Sequence, residues 1–200
     1  MTDGLNILPD PDLERMKPAL CQHLARIAAN IHTGQFAALL DPLTREVMQQ
    51  GFDEAGAHEG TVWLVDEAHE NLAAAYNTGP HAAQIVGNFK QPLNSGLVCM
   101  VFASEQPFLE NEVFKDVQQS KTLDSLLKTQ TFAMIAVPFY LLGECQGVVS
   151  CVQLKRLDAA EAPPPGFRPE NLVRVQRMTA VFSQLLEYRI LCRTLGWASP

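Results

Sequence analysis

The sequence predicts an α+β fold around a largely antiparallel sheet, and three patterns lead there. Helical periodicity occupies both ends of the chain. Strand-like alternation follows Gly60, and two long apolar runs around Gly143 read as a hairpin. Strands grouped between helices, instead of alternating with them, form the α+β arrangement. The length of 200 residues suits one domain with helical arms. With 47% hydrophobic and 18% charged residues, the chain is apolar enough to close a core.

Met1–Asp12 is polar, is punctuated by Pro9 and Pro11, and reads as a tail. Helical spacing starts near Pro18, a residue tolerated in a first turn, and Leu20, Leu24, Ile27 and Ile31 then form one stripe that ends before Gly34. Asp41-Pro42 is an N-cap followed by proline at the first helical position, which predicts a second helix towards Gly51 or Gly56. Thr61–Val65 and Leu72–Tyr76 read as paired strands around the polar turn 66–71, and Ile85–Lys90 as a weaker third strand. Asn94 or Ser95 caps a short apolar helix over Leu97–Ser104, and another short helix is expected near Leu123–Lys128.

Phe132–Leu142 and Cys145–Leu154 flank Gly143-Glu144 as the two arms of a hairpin. Gly147 marks a bulge, and Pro138, which cannot donate to a ladder, needs an edge or a bulge. Three consecutive prolines in 158–168 read as a stiff spacer before a long helix from Pro169 to about Leu195. The expected parts are therefore a tail (1–17), an N-terminal helix (18–33), a sheet domain (34–157), a linker (158–168) and a C-terminal helix (169–200).

Composition excludes several functions. The net charge is −7, and no basic residue lies between Arg45 and Lys90, so a nucleic-acid partner is not expected. The longest apolar stretch is far shorter than the ~20 residues of a membrane span, and the N-terminus lacks signal-peptide features, so neither a membrane partner nor export is expected. Five cysteines, without CxxC spacing, suit reduced thiols and a cytoplasmic location. The five histidines form no ligand cluster, and no metal is expected; lone His58 and His81 in polar loops seldom hold a haem or a metal. There is no dinucleotide fingerprint, P-loop or nucleophile elbow.

Trp63-Leu64-Val65-Asp66, Gly79, Pro92–Val98, Pro107-Phe108-Leu109, Val113–Asp116, Ile135–Pro138 and Gly147–Ser150 follow one another in an order and spacing that resemble a GAF domain over roughly residues 34–155. The resemblance implies a central antiparallel sheet, with the terminal helices on one face and a ligand pocket under short helices and loops on the other. It implies a stand-alone, non-catalytic sensor in signal transduction, dimeric, with an unknown small-molecule ligand, an unknown cofactor and a separate output protein. The Asn-Lys-x-x-Phe-x-x-x-Asp-Glu signature of cyclic-nucleotide-binding members is missing, as is the Cys-His pair of bilin-binding members. The alternative is a thiol redox enzyme of the free methionine-(R)-sulfoxide reductase type. It is disfavoured because Asp124–Gln130 lacks the cysteine those enzymes carry there, and Cys99 is displaced by one residue from their second one.

From the resemblance and the cap, the pocket is expected between the sheet and residues 94–130. Its candidate ligand-binding residues are Ser95, Gly96, Cys99, Phe114, Phe132, Met134 and Cys151, all of which are also ordinary cap or core types. No catalytic residue is assigned. In the last helix Met178, Val181, Leu185, Tyr188 and Cys192 step by three and four, beside a second apolar row of Leu172, Val175, Phe182, Leu186 and Ile190. That is more apolar surface than one sheet face covers, so the first row is the expected homodimer seam.

Overall fold

The computed structural model describes residues 11–31, 33–156 and 162–197. The expected tail up to Asp10, linker residues Asp158–Glu161 and the last three residues lie outside these. Six strands, β1 (Glu59–Val65), β2 (Asn71–Asn77), β3 (Lys90–Pro92), β4 (Phe108–Asn111), β5 (Thr129–Leu141) and β6 (Glu144–Arg156), form one sheet in the order β3-β2-β1-β6-β5-β4. Every neighbouring pair is antiparallel.

One face carries α1 (Pro11–Ala29), α2 (Thr33–Phe36), α3 (Pro42–Ala55) and α7 (Pro169–Thr194). The other carries the short helices α4 (Ala82–Ile85), α5 (Leu97–Ser104) and α6 (Thr122–Leu127). On the first face Phe36, Phe139 and Phe182 meet at centroid distances of 5.5–6.4 Å, fixing α7 and the α2 turn to β5. Asp41 caps α3 by accepting from the Thr44 amide, with Pro42 in the first turn, and the helix stops at Gly56 in the left-handed conformation.

Several expectations need correction. α1 begins at Pro11, not Pro18, and Pro18 lies inside it. Asp12 and Glu14 in its first turn complement the helix dipole there. Residues 85–90 are not a strand: α4 takes 82–85, and the edge strand β3 starts only at Lys90. The hairpin turn is Leu142-Gly143, one residue earlier than expected, and both residues have positive φ (53° and 87°), as a two-residue hairpin turn requires. Leu142 occupies the conformation that favours glycine because it packs on the helix-side core and its amide donates to Glu187 of α7.

Other expectations have a structural counterpart. Gln146 is the extra residue of a bulge beside Gly147, opposite Phe139 and Tyr140. Pro138 lies beyond the last β4–β5 pair, Phe108–Ala136, so that side of β5 is an open edge there. The prolines of 163–165 lead not into a free spacer but into a docked segment. Gly166 donates to Gln153, and the Asn111 side chain accepts from the Phe167 amide and donates to its carbonyl.

The apolar rows of α7 divide differently from expectation. Val175, Met178, Phe182, Leu186, Ile190 and Cys192 are buried within the protomer. Met178 belongs there because α3 approaches closely at Gly51, where a Cβ would come within 2.3 Å of Met178 Cγ. Met178 and Cys192 therefore do not form an exposed seam. Val181 and Tyr188 stay about half exposed, at 46% and 51%, and Leu185 is half-buried.

Candidate functional site

On the face opposite the long helices, a cavity of about 70 Å³ lies between the sheet and the segment of α5, α6 and their connection. Its floor comes from alternate residues of three central strands: Glu59, Thr61 and Trp63 of β1, Ser150 and Val152 of β6, and Thr131 and Met134 of β5. A strand points successive side chains to opposite faces, so Val62, Leu64 and Cys151 serve the helix-side core while their neighbours face the cavity. Phe132 is the extra residue of a bulge, and the bulge keeps both Thr131 and Met134 on the cavity face.

The roof is tied down by one carboxylate. Asp124 of α6 accepts from the Thr131 amide at 2.9 Å, from the Thr131 hydroxyl at 2.7 Å and from the Gln119 side-chain amide at 3.1 Å. The wall at the start of α5 needs a glycine. Gly96 has φ of 88°, and a Cβ there would press on the Gln91 side chain at 3.2 Å and Ser120 at 3.4 Å. Gln91, itself buried, donates to the Ser95 hydroxyl and carbonyl and so holds the loop before α5.

The floor is polar in an otherwise apolar sheet. Trp63 Nε1 donates to Ser150 at 2.9 Å, and Asn77 donates to Thr61 at 2.9 Å. Glu59 is only 5% exposed and its Oε2 has no hydrogen-bond partner. That oxygen lies against Gly79, where a Cβ would approach it to 1.8 Å. Burial pushes the Glu59 carboxyl above the usual carboxylate range, against the opposing pull of nearby His81 and of a hydrogen bond from Asn77. Gln119 Oε1, in the roof, is a second buried acceptor without a partner.

The raised value makes the stability contribution of Glu59 pH-dependent. A carboxyl that holds its proton more tightly in the folded state stabilises below its unfolded value and loses that stabilisation as pH rises through the folded one. Glu59→Gln, which cannot ionise, should therefore stabilise the protein by about 1–2 kcal/mol near pH 8 and by much less near pH 4. Urea denaturation at the two pH values measures this. An equal effect at both would exclude ionisation as the cause.

The sequence-derived site residues are dispersed by the fold. Gly96 and Met134 line the cavity. Ser95 does not cap α5, because its hydroxyl is taken by Gln91, and with Cys99 it borders a separate groove on the outer side of that helix. Cys151 sits in the helix-side core, and Phe132 packs against that core with Phe114 at 5.6 Å. Glu59, Thr61, Gln119, Asp124 and Ser150 were not anticipated. The signal available was a polar residue at every second position of otherwise apolar strands, which points at a face only once the strands are paired.

Two of the five thiols, those of Cys99 and Cys151, are poorly placed for chemistry. Cys99 is buried with its Sγ 3.3 Å from the Pro92 carbonyl, and burial pushes its thiol up to about 11. Burial pushes Cys151 up to about 12, and this cysteine and Cys99 pack on opposite faces of the sheet. Among the described residues no group of three His, Cys, Asp or Glu side chains is arranged to hold a metal ion, and no helix is long and apolar enough to cross a membrane.

The overall fold recurs in solved structures. The structure matches the GAF domain of a phosphoenolpyruvate-protein phosphotransferase from Coxiella burnetii with a TM-score of 0.57 at 15% identity, over 83% of this chain and 99% of that one. This chain has the GAF fold. The corresponding GAF domain from Acinetobacter gives 0.55 at 16% identity, over 90% and 97% of the two chains. A free methionine-R-sulfoxide reductase from Neisseria meningitidis, solved in complex with its substrate, gives 0.54 at 16% identity, over 95% and 97%. No protein-family model and no curated protein matches the chain. At these identities the likeness establishes the fold, which those GAF domains and an enzyme share.

Proposed function

We propose that this chain is a non-catalytic sensor of a small polar molecule, regulating a separate output protein in a reducing compartment such as the cytoplasm. The observation that carries this reading is the roofed cavity, whose lining holds two buried acceptors without partners. Buried polar groups are normally hydrogen-bonded, and each unsatisfied one costs about 1–3 kcal/mol, so a ligand that donates to them gains on binding. The cavity is much smaller than the ~300–1,000 Å³ of typical ligand pockets, so a larger ligand would need the α6 roof to lift. Such a movement would give binding a mechanical output. The buried, elevated thiols on opposite faces speak against the thiol-redox alternative, because the thiolate is the reactive form.

Native mass spectrometry of the protein released gently from its host tests the reading. A retained small molecule, lost on denaturation, is expected. Reduction of free methionine sulfoxide by the purified protein with a thiol donor, abolished by Cys99→Ser, would overturn it.

The same reading includes a homodimer through the helical face. Val181 and Tyr188 of α7 are exposed seven residues apart, and Val181 borders a groove with Val47 of α3. Two copies packing α3 and α7 against their counterparts would cover these side chains. Sedimentation equilibrium at on the order of tens of micromolar should find a dimer, and Val181→Glu should convert it to a folded monomer. Val181 is the suitable probe because nearly half of its surface is already in water, so a glutamate there leaves the protomer core intact. A monomeric wild type would refute the dimer.

A further inference from the structure

We propose that the cavity takes a small organic cation, an alkylammonium or guanidinium group, with the Glu59 carboxylate as its counter-charge and the Gln119 carbonyl as a second acceptor. The inference rests on the sensing role above and specifies its ligand. The two unpartnered buried oxygens, Glu59 Oε2 and Gln119 Oε1, are both acceptors, so the missing partner is a donor. The formal charges around the cavity are those of Glu59 and Asp124, and no Lys, Arg or His lines it among the described residues. An anionic ligand would therefore meet two carboxylates and no lining cation, at a cost that a partly enclosed, low-dielectric site increases.

The aromatic surface agrees with the charge. Trp63 and Phe89 both line the cavity, with ring centroids 6.0 Å apart in an edge-to-face arrangement, and the face of an indole attracts ammonium and guanidinium groups. Asp124 already accepts three hydrogen bonds, from Thr131 and Gln119, whereas Glu59 Oε2 accepts none, so Glu59 is the carboxylate better placed to pair. A cavity of about 70 Å³ admits a head group of a few heavy atoms with the present roof. His81 faces Glu59 from the turn before α4, and Asp124 lies in the roof. Raising the pH ionises Glu59, and that strengthens cation binding.

The experiment is a titration of the full chain with methylguanidinium and methylammonium chlorides, sodium acetate and phosphate, and neutral acetamide. It is followed on the indole N–H of Trp63 by two-dimensional NMR. That proton marks the cavity floor, because it is bonded to Ser150. Saturable shifts with at least one of the two cations, weakened at least tenfold by Glu59→Gln and absent with the anions, are expected. Saturation by acetate, phosphate or acetamide without either cation would overturn the ligand class while leaving the sensing role standing. Cation binding unchanged in Glu59→Gln would remove Glu59 as the counter-charge and overturn the proposal too. No response to any probe, in the wild type or in Asp124→Asn with its loosened roof, would overturn both.

Discussion

Gly147→Ala should cost about 3 kcal/mol or more and leave a substantial unfolded fraction at 37 °C, although it adds a single methyl group. Gly147 sits in β6 opposite Leu64, in the last pair of the β1–β6 ladder. A Cβ built there would lie 1.8 Å from the Trp63 carbonyl oxygen and 3.1 Å from the Leu64 Cα. Both are main-chain atoms, so no side-chain rotation relieves the contact. The strands would have to separate at the middle of the sheet, breaking pairing that runs from Glu59–Val152 to Leu64–Gly147. The bulge at Gln146 adds to the effect, because the local backbone is already displaced there. Gly34→Ala is the control. Nothing lies within 4 Å of a Cβ at that position, which is in α2, so that change should be neutral or stabilising by up to about 1 kcal/mol. Urea denaturation of both variants checks the pair, and similar midpoints would refute the steric argument.

Gly147 also illustrates how far the sequence is readable. A glycine in an apolar strand is a visible anomaly, and it does mark a bulge. That its Cα touches a particular carbonyl of β1 depends on a register between residues some eighty positions apart, which no local pattern encodes. The same distinction runs through the fold. The Asp41-Pro42 cap, the strands of 59–77, the 129–156 hairpin and the last helix are specified by neighbours within one or two turns of chain. The short elements β3, β4 and α4 are not, because three or four residues carry too little periodicity, and their conformation follows from what the sheet edge and loops leave open.

The site was less legible than the fold for a related reason. Cys151 and Phe132 attract notice by type, yet strand parity and a bulge send them to the helix side, and Phe114, in the turn Val113–Lys115, stacks on Phe132. Glu59 lies in a stretch, 46–89, that has several acids and no Lys or Arg, so its type alone does not single it out. Only the pairing of β1 between β2 and β6, with Gly79 folded over its end, shows a carboxyl that is buried and half unpartnered. The α7 rows failed in the opposite sense. Gly51 of α3 lets Met178 into the core, so the exposed part is smaller than the periodicity suggests.

Asp41→Ala should cost about 2–4 kcal/mol, because the residue does two jobs at a helix junction. Its Oδ1 accepts from the Thr44 amide at 2.7 Å and the Thr44 hydroxyl at 2.8 Å, and removing such a cap costs about 1 kcal/mol. Its Oδ2 pairs with Arg189 of α7, whose side chain is only 13% exposed and whose Nε already lacks a partner. Alanine would leave that guanidinium largely buried and uncompensated, the costlier half of the loss. Asp41→Asn separates the two, since its amide oxygen still caps Thr44 while the charge is gone. The hydrogen bond from the Thr44 amide, and then the Thr44 hydroxyl and the Arg189 charge, hold the Asp41 carboxyl below the usual range despite partial burial. A lowered value contributes stability that is present above the unfolded value and lost as pH falls through the folded one. The gap between wild type and Asp41→Asn should thus be full near pH 7 and narrow progressively as pH falls below the ordinary carboxylate range, measured by urea denaturation across that range. A gap that does not close would mean that packing, and not charge, joins α3 to α7. Because the two helices also carry Val47 and Val181 of the proposed dimer face, that proposal expects the alanine variant to dissociate at higher protein concentration than the wild type. Unchanged dimerisation in a folded Asp41→Ala protein would place the seam elsewhere.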